Sequence, residues 1–178
     1  GAMLYYPDDT LQHAGVITGL GGYAGHSHKY KQKGGSGYLF RTATVQDFSA
    51  VTGACLLVRA SVYDEVGGLD EQFAVAFNDV DFCLRVRDAG YRIAWTPYAQ
   101  LVHYESKSRG GDEKDPAKAA RFAAEQQRLY AIHGKEDILD DPYYNPNLTR
   151  DREDFSESDD LRRLKEGTVT VRFRGGEA

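Results

Sequence analysis

The fold is decided by two neighbouring stretches, Thr52-Gly53-Ala54-Cys55-Leu56-Leu57-Val58 and, twenty residues further on, Asn78-Asp79-Val80-Asp81. The apolar part of the first stretch, from Ala54 to Val58, has the length and continuous hydrophobicity of a strand buried on both faces. A helix is predicted directly after it, with a capping-box-like start at Ser61 and a left-handed glycine stop at Gly67-Gly68. A strand followed at once by a helix predicts an α/β layer structure.

The second stretch predicts another helix, with Asn78 as its N-cap and Gly90 as its end. Asp79 and Asp81 fall in its first turn, where the helix dipole favours negative charge. Both acids could simply stabilise the helix, by about 0.3–1 kcal/mol each. Asp79 could also be a catalytic carboxylate, and residue spacing alone leaves the choice open.

Further elements are predicted on either side of this region. Alternation from Tyr91 to Trp95 indicates a half-buried strand closed by Pro97, and Asp115-Pro116 opens a helix that ends near Gly134. Residues 1–3 are interpreted as an extraneous leader, residues 4–148 as the domain, and residues 149–178 as an acidic, flexible tail.

Composition bounds the classes of function. With 178 residues the chain is long enough for one domain, and its formal net charge of −5 argues against nucleic-acid binding. No apolar run approaches the ~20 residues of a membrane helix, so no membrane span is predicted. Cys55 and Cys83 lie in apolar runs without a CxxC motif, which indicates free thiols in a reducing, cytoplasmic compartment.

Two loops allow more than one interpretation. The glycine-rich stretch from Leu11 to His28 predicts a backbone that turns repeatedly, and it matches neither phosphate-binding glycine motif. Lys29, Lys31 and Lys33 alternate with polar residues before a glycine-rich run. They form either a solvated basic loop or a lid whose lysines contact a diphosphate or membrane headgroups.

The histidines are candidate metal ligands. His26 and His28 would lie on the same side of an extended segment, a spacing compatible with a metal, and His103 could join them in a metal hydrolase. No HExxH-like pair accompanies them. His103 could equally be a partly buried strand histidine with a satisfied hydrogen bond.

The order of these pieces resembles the C-terminal half of family 2 glycosyltransferases with the GT-A fold. The resemblance covers roughly residues 4 to 109, and the stretch from Asp141 to Leu148 is similar to one that recurs at the end of related bacterial domains. The residues that carry it are Tyr6-Pro7-Asp8, Gln12-His13-Ala14-Gly15-Val16, Thr52 to Arg59, Val66 to Phe73, Asn78 to Arg85, Ala89-Gly90-Tyr91, Pro97-Tyr98-Ala99, His103 and Glu105-Ser106.

The resemblance implies an inverting transfer of a sugar from a nucleotide-sugar donor to a glycan or other hydroxyl acceptor. Asp79 would be the general base, although Asn78 stands where relatives usually have Glu. His103 would help hold a divalent cation, Mn or Mg. The acceptor would be bound by Thr52, Gly53, Asp70, Glu71 and Asp81.

The resemblance also implies that most of the cation and nucleotide site belongs to an N-terminal half of the fold, which is not in this sequence. The expected fold class is therefore α/β, a partial GT-A layer fold, and the chain alone would be inactive. An exposed sheet edge could support a homodimer. The localisation would be cytoplasmic, either free or at the inner face of the membrane. The alternative is a non-catalytic carbohydrate- or protein-binding module of the same fold.

Overall fold

The computed structural model describes residues 1–104 and 115–158, which form a mixed α/β structure. The strands precede most of the helices, and three short 3-10 turns interrupt the loops. In chain order the elements are β1 (Ala2–Tyr5), β2 (Leu11–His13), β3 (Val16–Thr18), β4 (Ala24–His26), β5 (Gln46–Asp47), α1 (Ala60–Glu65), α2 (Asn78–Asp88), β6 (Ala94–Val102), α3 (Pro116–His133) and α4 (Lys135–Leu139).

The main sheet has four strands in the order β2-β1-β6-β5. Strand β1 runs parallel to β6 and antiparallel to β2, while β5 runs antiparallel to β6. Strands β3 and β4 form a separate antiparallel pair. This mixture of strands and helices confirms the predicted α/β class.

The core is centred on Trp95 and Phe48, both fully buried, with ring centroids 6.0 Å apart in an edge-on arrangement. The indole nitrogen of Trp95 donates to the carbonyl of Ala2 at 3.0 Å, so its polar atom is satisfied. Gly15 is required beside this pair, because a Cβ there would lie 2.5 Å from the Phe48 ring. Its φ of 93° also favours glycine.

The predicted strand from Ala54 to Val58 is wrong. Gly53–Cys55 form a 3-10 turn, and the chain then continues in an extended conformation in which Leu57 is 96% exposed. Within residues 1–104 and 115–158, Leu56, Leu57 and Val58 make no backbone hydrogen bond. Only the part of the run after Cys55 is extended, and no described strand lies beside it to complete a ladder.

The helices are confirmed, although two predicted caps are not. Helix α1 begins at Ala60, before Ser61, and α2 follows Phe77, which has a φ of 62° and provides no side-chain cap. Asn78 is instead the first helical residue, and its Oδ1 accepts from the backbone of Asp79 at 2.8 Å. The cap of α3 is as expected, since Asp115 accepts from the backbone of Ala117 at 3.0 Å.

Pro97 does not close the strand as predicted. Strand β6 continues through it, and the register against β1 jumps from the Ala2–Thr96 pair to the Met3–Gln100 pair. Such an irregularity removes the need for a ladder hydrogen bond from the proline, because the bulged residues are unpaired.

The predicted flexible tail does not begin at residue 149. Thr149 and Phe155 are buried, and the Phe155 ring stacks on His28 with centroids 4.2 Å apart. Residues 159–178 lie outside the described residues. At the other end, Ala2 and Met3 are buried in β1 and pair with β6.

Both cysteines are free thiols, as expected. In the described part of the chain, no helix combines the length and the apolar character needed to cross a bilayer.

Candidate functional site

The first turn of α2 holds Asp79 beside the 3-10 turn that precedes α1. The Oδ2 atom of Asp79 accepts from the backbone N–H of Gly53 at 2.8 Å, and its Oδ1 accepts from the backbone N–H of Val80 at 2.9 Å. The carboxylate is therefore fixed by one hydrogen bond from its own helix and one from a separate loop. Asp79 remains partly exposed, so its oxygens keep lone pairs for a further hydrogen bond.

A buried histidine fixes the loop that holds Asp79. The Nε2 atom of His13 lies 3.4 Å from the backbone nitrogen of Thr52, and its Nδ1 lies 2.9 Å from Nδ1 of His26. His13 is fully buried, and burial, followed by the nearby His26, lowers the pKa of His13 well below its usual value. His13 is therefore neutral near pH 7.

The partners of His13 determine its tautomer. A backbone N–H can only donate, so Nε2 of His13 must accept from Thr52 and the proton lies on Nδ1. That N–H then donates to Nδ1 of His26, which is unprotonated. The consecutive amides of Thr52 and Gly53 thus connect the histidine pair to the carboxylate of Asp79.

His103, directly after β6, is held by Gln12 of β2. The amide nitrogen of Gln12 donates to the backbone carbonyl of His103 at 3.3 Å, and its Oε1 lies 2.9 Å from Nδ1 of His103. Because a carbonyl can only accept, the amide orientation is fixed and Nδ1 must carry a proton. The neutral imidazole of His103 therefore has its lone pair on Nε2, the tautomer of a histidine that binds metal through Nε2.

A divalent cation would find only part of a site here. Among residues 1–104 and 115–158, no three His, Cys, Asp or Glu side chains are placed together to hold a metal. His103 offers one suitably oriented nitrogen. Among the described residues, His103 could therefore serve a cation only as a single ligand.

Asp81 is placed differently from the prediction that it binds acceptor. Its carboxylate is 1% exposed and bonds His133 at 2.8 Å and Arg85 at 2.7 and 3.0 Å. Burial opposes the charge, but the hydrogen bonds from His133 and Arg85 outweigh it and lower the pKa of Asp81. The hydrogen bond between His133 and Asp81 connects α3 to α2, and a buried carboxylate does not fit acceptor contact.

The loop before Asp79 is attached to α3. Arg128 donates to Asp70 at 2.6 and 3.2 Å, and this hydrogen bonding lowers the pKa of the Asp70 carboxyl. Glu125 accepts from the backbone of Ala76 at 2.6 Å. Glu71 is exposed. Of the predicted acceptor residues, Thr52 and Gly53 lie beside Asp79, whereas Asp70 is engaged by Arg128.

His28 does not join His26 in a metal pair. Its φ of 59° breaks the extended conformation on which the prediction depended. Its Nε2 accepts from the backbone of Tyr38 at 2.9 Å, and its Nδ1 lies 2.6 Å from the hydroxyl of Ser27. Burial lowers the pKa of His28 to about 3, with smaller contributions from Lys31 and Arg41. The hydrolase hypothesis therefore loses its first pair of ligands.

Sequence reasoning missed the roles of Gln12 and His13. They are adjacent, both are buried in β2, and each bonds a residue far away in the chain. The available signal was that Gln12 and His13 are polar residues in a short strand that is buried. Buried polar groups require hydrogen-bond partners, so both side chains had to bond to other parts of the chain. The identities of those partners depend on tertiary structure.

The sequence matches the model of the glycosyl transferase family group 2 over residues 9–130. It is 50% identical over 156 residues to the uncharacterized protein y4gI of Sinorhizobium fredii, covering 87% of this chain and 17% of that protein. It is 36% identical over 150 residues to the O-antigen biosynthesis protein RfbC of Myxococcus xanthus, covering 84% of this chain and 11% of that protein.

A shorter similarity relates the chain to the N-acetylglucosaminyl-diphospho-decaprenol L-rhamnosyltransferase of Mycobacterium tuberculosis, with 36% identity over 80 residues, covering 45% of this chain and 24% of that enzyme. The chain thus spans less than a quarter of the length of each of these relatives. No solved structure gives a significant match. The family match extends from β2 to α3 and includes Asp79 and its supporting residues, so the chain belongs to the glycosyl transferase family group 2.

Proposed function

We propose that this chain forms the acceptor side of an inverting, metal-dependent glycosyltransferase that acts in bacterial surface polysaccharide synthesis. The observation that carries the proposal is the Asp79 carboxylate, fixed by Gly53 at the start of α2 and still partly exposed. The similarity to a protein named for O-antigen biosynthesis supports the class of product.

In this proposal Asp79 acts as the general base. Its free lone pair takes the proton of an acceptor hydroxyl as that oxygen attacks the anomeric carbon of the donor sugar. The bond from the anomeric carbon to the nucleoside diphosphate breaks at the same time, and the configuration inverts. Asp79 lies in the first turn of α2, where the helix dipole favours negative charge.

The acceptor would lie against Thr52 and Gly53, with Glu71 at the exposed end of the same region. A divalent cation, when bound, would stabilise the negative charge of the leaving diphosphate. His103 would contribute its Nε2 to that cation, and Gln12 would hold the imidazole in the correct tautomer.

We propose that another strand pairs with the extended stretch from Leu56 to Val58, which belongs to neither described sheet. Its apolar side faces a groove of about 480 Å³ lined by residues of α2, among them Phe82 and Val86. The strand would come from another part of a longer polypeptide or from a second copy of this chain. A dimeric mass in light scattering would support the second copy.

We further propose that the chain by itself does not bind a nucleotide-sugar tightly, because the described residues include no three-ligand metal cluster. Micromolar binding of a nucleotide-sugar with Mn²⁺ in calorimetry of the isolated chain would contradict this. The relative named for N-acetylglucosaminyl-diphospho-decaprenol supports a lipid-carried acceptor. We propose that this acceptor is met at the inner face of the membrane.

The test is sugar transfer by a longer protein that contains this sequence. Asp79→Asn should abolish most transfer, while Asp88→Asn, at the exposed end of the same helix, should leave it unchanged. Unchanged transfer in Asp79→Asn would exclude the base assignment. Absence of transfer by the unmodified protein, combined with glycan binding, would favour the binding-module alternative.

A further inference from the structure

One exposed surface is unlike the rest of the chain in charge. Residues 29–45 contain three lysines, Lys29, Lys31 and Lys33, and no acidic residue, in a chain whose net charge is −5. The guanidinium of Arg41, in the same segment, points inward, lies over the buried ring of Phe48 and donates to the carbonyl of Tyr143. Lys31 and Lys33 are exposed and Lys29 is partly exposed. We call residues 29–45 the basic-aromatic face.

The same face exposes large apolar side chains. Tyr30 is 64% exposed, Leu39 76%, Phe40 66% and Val45 57%. Single exposed apolar residues are common on soluble proteins, but a cluster within one loop region indicates a surface that is covered in use.

Three of these exposed side chains belong to residues whose backbone conformation is energetically unfavourable. Tyr30, Leu39 and Phe40 have φ values of 64°, 45° and 61°, the left-handed region that residues with a Cβ rarely adopt. Each such residue costs about 1–2 kcal/mol. Bulky residues kept in a strained conformation and in contact with water are unfavourable for folding alone, which points to a role in binding.

The face is anchored as one unit. The backbone of Tyr38 donates to His28 at 2.9 Å, and the hydroxyl of Thr42 donates to the carbonyl of Gly35 at 2.7 Å. These contacts join the lysine-bearing part of the segment to the part that carries Leu39 and Phe40. The exposure of the apolar side chains therefore does not result from a loose loop.

The positive charge is only partly balanced by neighbouring acids. Lys33 pairs with Asp9 at 3.2 Å, and Glu153 lies near Lys29. The Nζ atom of Lys29 lies 5.2 Å from the centroid of the exposed Tyr30 ring. Basic side chains around protruding apolar and aromatic ones are the combination that binds the interface of an anionic bilayer.

We propose that the basic-aromatic face binds the surface of an anionic phospholipid membrane, with Leu39 and Phe40 inserted among the headgroups and the lysines on lipid phosphates. A second copy of this chain is a poorer occupant, since the lysines of two such faces would repel one another. Because the charged side chains of the face are positive, the partner they favour is anionic.

The basic-aromatic face adjoins the proposed site through β2. The role of membrane binding derived from this position rests on the proposed function. Leu11 of β2 donates to the carbonyl of Lys31 and accepts from the backbone of Tyr30, both at 2.7 Å. The next two residues of β2, Gln12 and His13, hold His103 and Thr52. Docking of the face would thus bring the proposed site to the membrane, where a lipid-carried acceptor lies.

The experiment is co-sedimentation of the 178-residue chain with vesicles of phosphatidylglycerol and phosphatidylcholine, compared with phosphatidylcholine alone. We expect binding to the anionic vesicles only, and weaker binding as salt is raised. The double variant Leu39→Ser/Phe40→Ser should reduce the partition coefficient at least about tenfold, and Lys29→Glu/Lys31→Glu by a similar factor.

Tyr98→Ser is the matched control, since Tyr98 is 79% exposed outside the face, and it should bind as the unmodified chain does. Equal binding to neutral vesicles, no binding to anionic ones, or no effect of the Leu39 and Phe40 substitutions would overturn the proposal. A dimer in light scattering that these substitutions dissociate would assign the face to a second copy instead.

The result can be separated from the test of catalysis. Asp79→Asn should bind anionic vesicles normally even though it is expected to lose transfer. If Asp79→Asn keeps transfer, the base assignment fails while the membrane proposal stands.

Discussion

The backbone N–H of Gly53 donates to Oδ2 of Asp79 at 2.8 Å, which connects the 3-10 turn before α1 to the first turn of α2. The adjacent amide, that of Thr52, donates to the buried His13. Two consecutive peptide groups therefore join a neutral imidazole on one side to a carboxylate on the other. The orientation of Asp79 depends on this turn as well as on its own helix.

Replacing Asp79 by Asn should reduce sugar transfer by about a hundredfold to ten-thousandfold, because the amide cannot accept the acceptor proton. The Asn side-chain oxygen still accepts from Gly53, so the free energy of unfolding should change little. Steady-state transfer by the longer protein and urea unfolding of this chain measure the two quantities. A large loss of stability would indicate that the carboxylate is needed for folding.

Replacing His13 by Ala should destabilise the chain by about 1–3 kcal/mol, since the amide of Thr52 loses its acceptor in a largely buried position. Urea unfolding measures this. His26→Ala keeps the bond from Thr52 to His13 but removes the acceptor of the buried His13 Nδ1–H, so it should also destabilise the chain by about 1–3 kcal/mol. No loss of stability in His13→Ala would mean that the amide of Thr52 finds another acceptor.

His28 makes stability depend on pH. Its pKa is lowered by burial to about 3, from 6.5 in an unfolded chain. Below pH 6.5 the unfolded state binds a proton that the native state excludes. The stabilisation is therefore complete above about pH 6.5 and decreases as the pH falls towards 3.

At pH 5 this loss should amount to about 2 kcal/mol from His28. The lowered pKa of His13 acts in the same direction. Urea unfolding at pH 7.5 and pH 5 provides the measurement. His28→Gln, which keeps an acceptor for Tyr38 but does not titrate, should lose less stability between the two pH values; an unchanged difference would assign the effect to other groups.

Local signals in the sequence predicted the helices well. The Asp115-Pro116 start and Gly134 end of α3 follow from backbone geometry within a few residues, and the structure shows both. The Ala54–Val58 strand was misjudged because an extended apolar run becomes a strand only when a neighbour supplies hydrogen bonds. Whether a neighbouring strand is present depends on the tertiary structure and cannot be read from the Ala54–Val58 sequence itself.

The candidate site likewise has features that the local sequence predicts and features that depend on distant residues. The position of Asp79 in the first turn of α2 was predictable from the helix start. Burial of Asp81 was not, because its partner His133 lies 52 residues away on another helix. Gln12 and His103, which are joined by hydrogen bonds, are 91 residues apart, and no periodicity in the sequence predicts such a pair.

Gln12→Leu should weaken binding of a divalent cation by the longer protein about 10–100-fold, because His103 loses the group that fixes its tautomer. Electron paramagnetic resonance of free Mn²⁺ measures the affinity without relying on transfer. Gln100→Leu is the matched control, because Gln100 lies in β6, the strand that precedes His103, and is exposed. Unchanged affinity in Gln12→Leu would remove His103 from the proposed ligand set.

Asp81→Ala tests whether this acid acts in folding or in acceptor binding. The substitution leaves the nearly buried His133 and the partly buried Arg85 without their shared carboxylate. Loss of one member of a buried pair costs about 3–5 kcal/mol, so the urea midpoint should fall sharply. Asp88→Ala, at the exposed end of α2, should change the free energy of unfolding by less than about 0.5 kcal/mol. If Asp81 contacted acceptor instead, Asp81→Asn would raise the KM for acceptor with little change in stability, and the hydrogen bond to His133 of α3 would be dispensable.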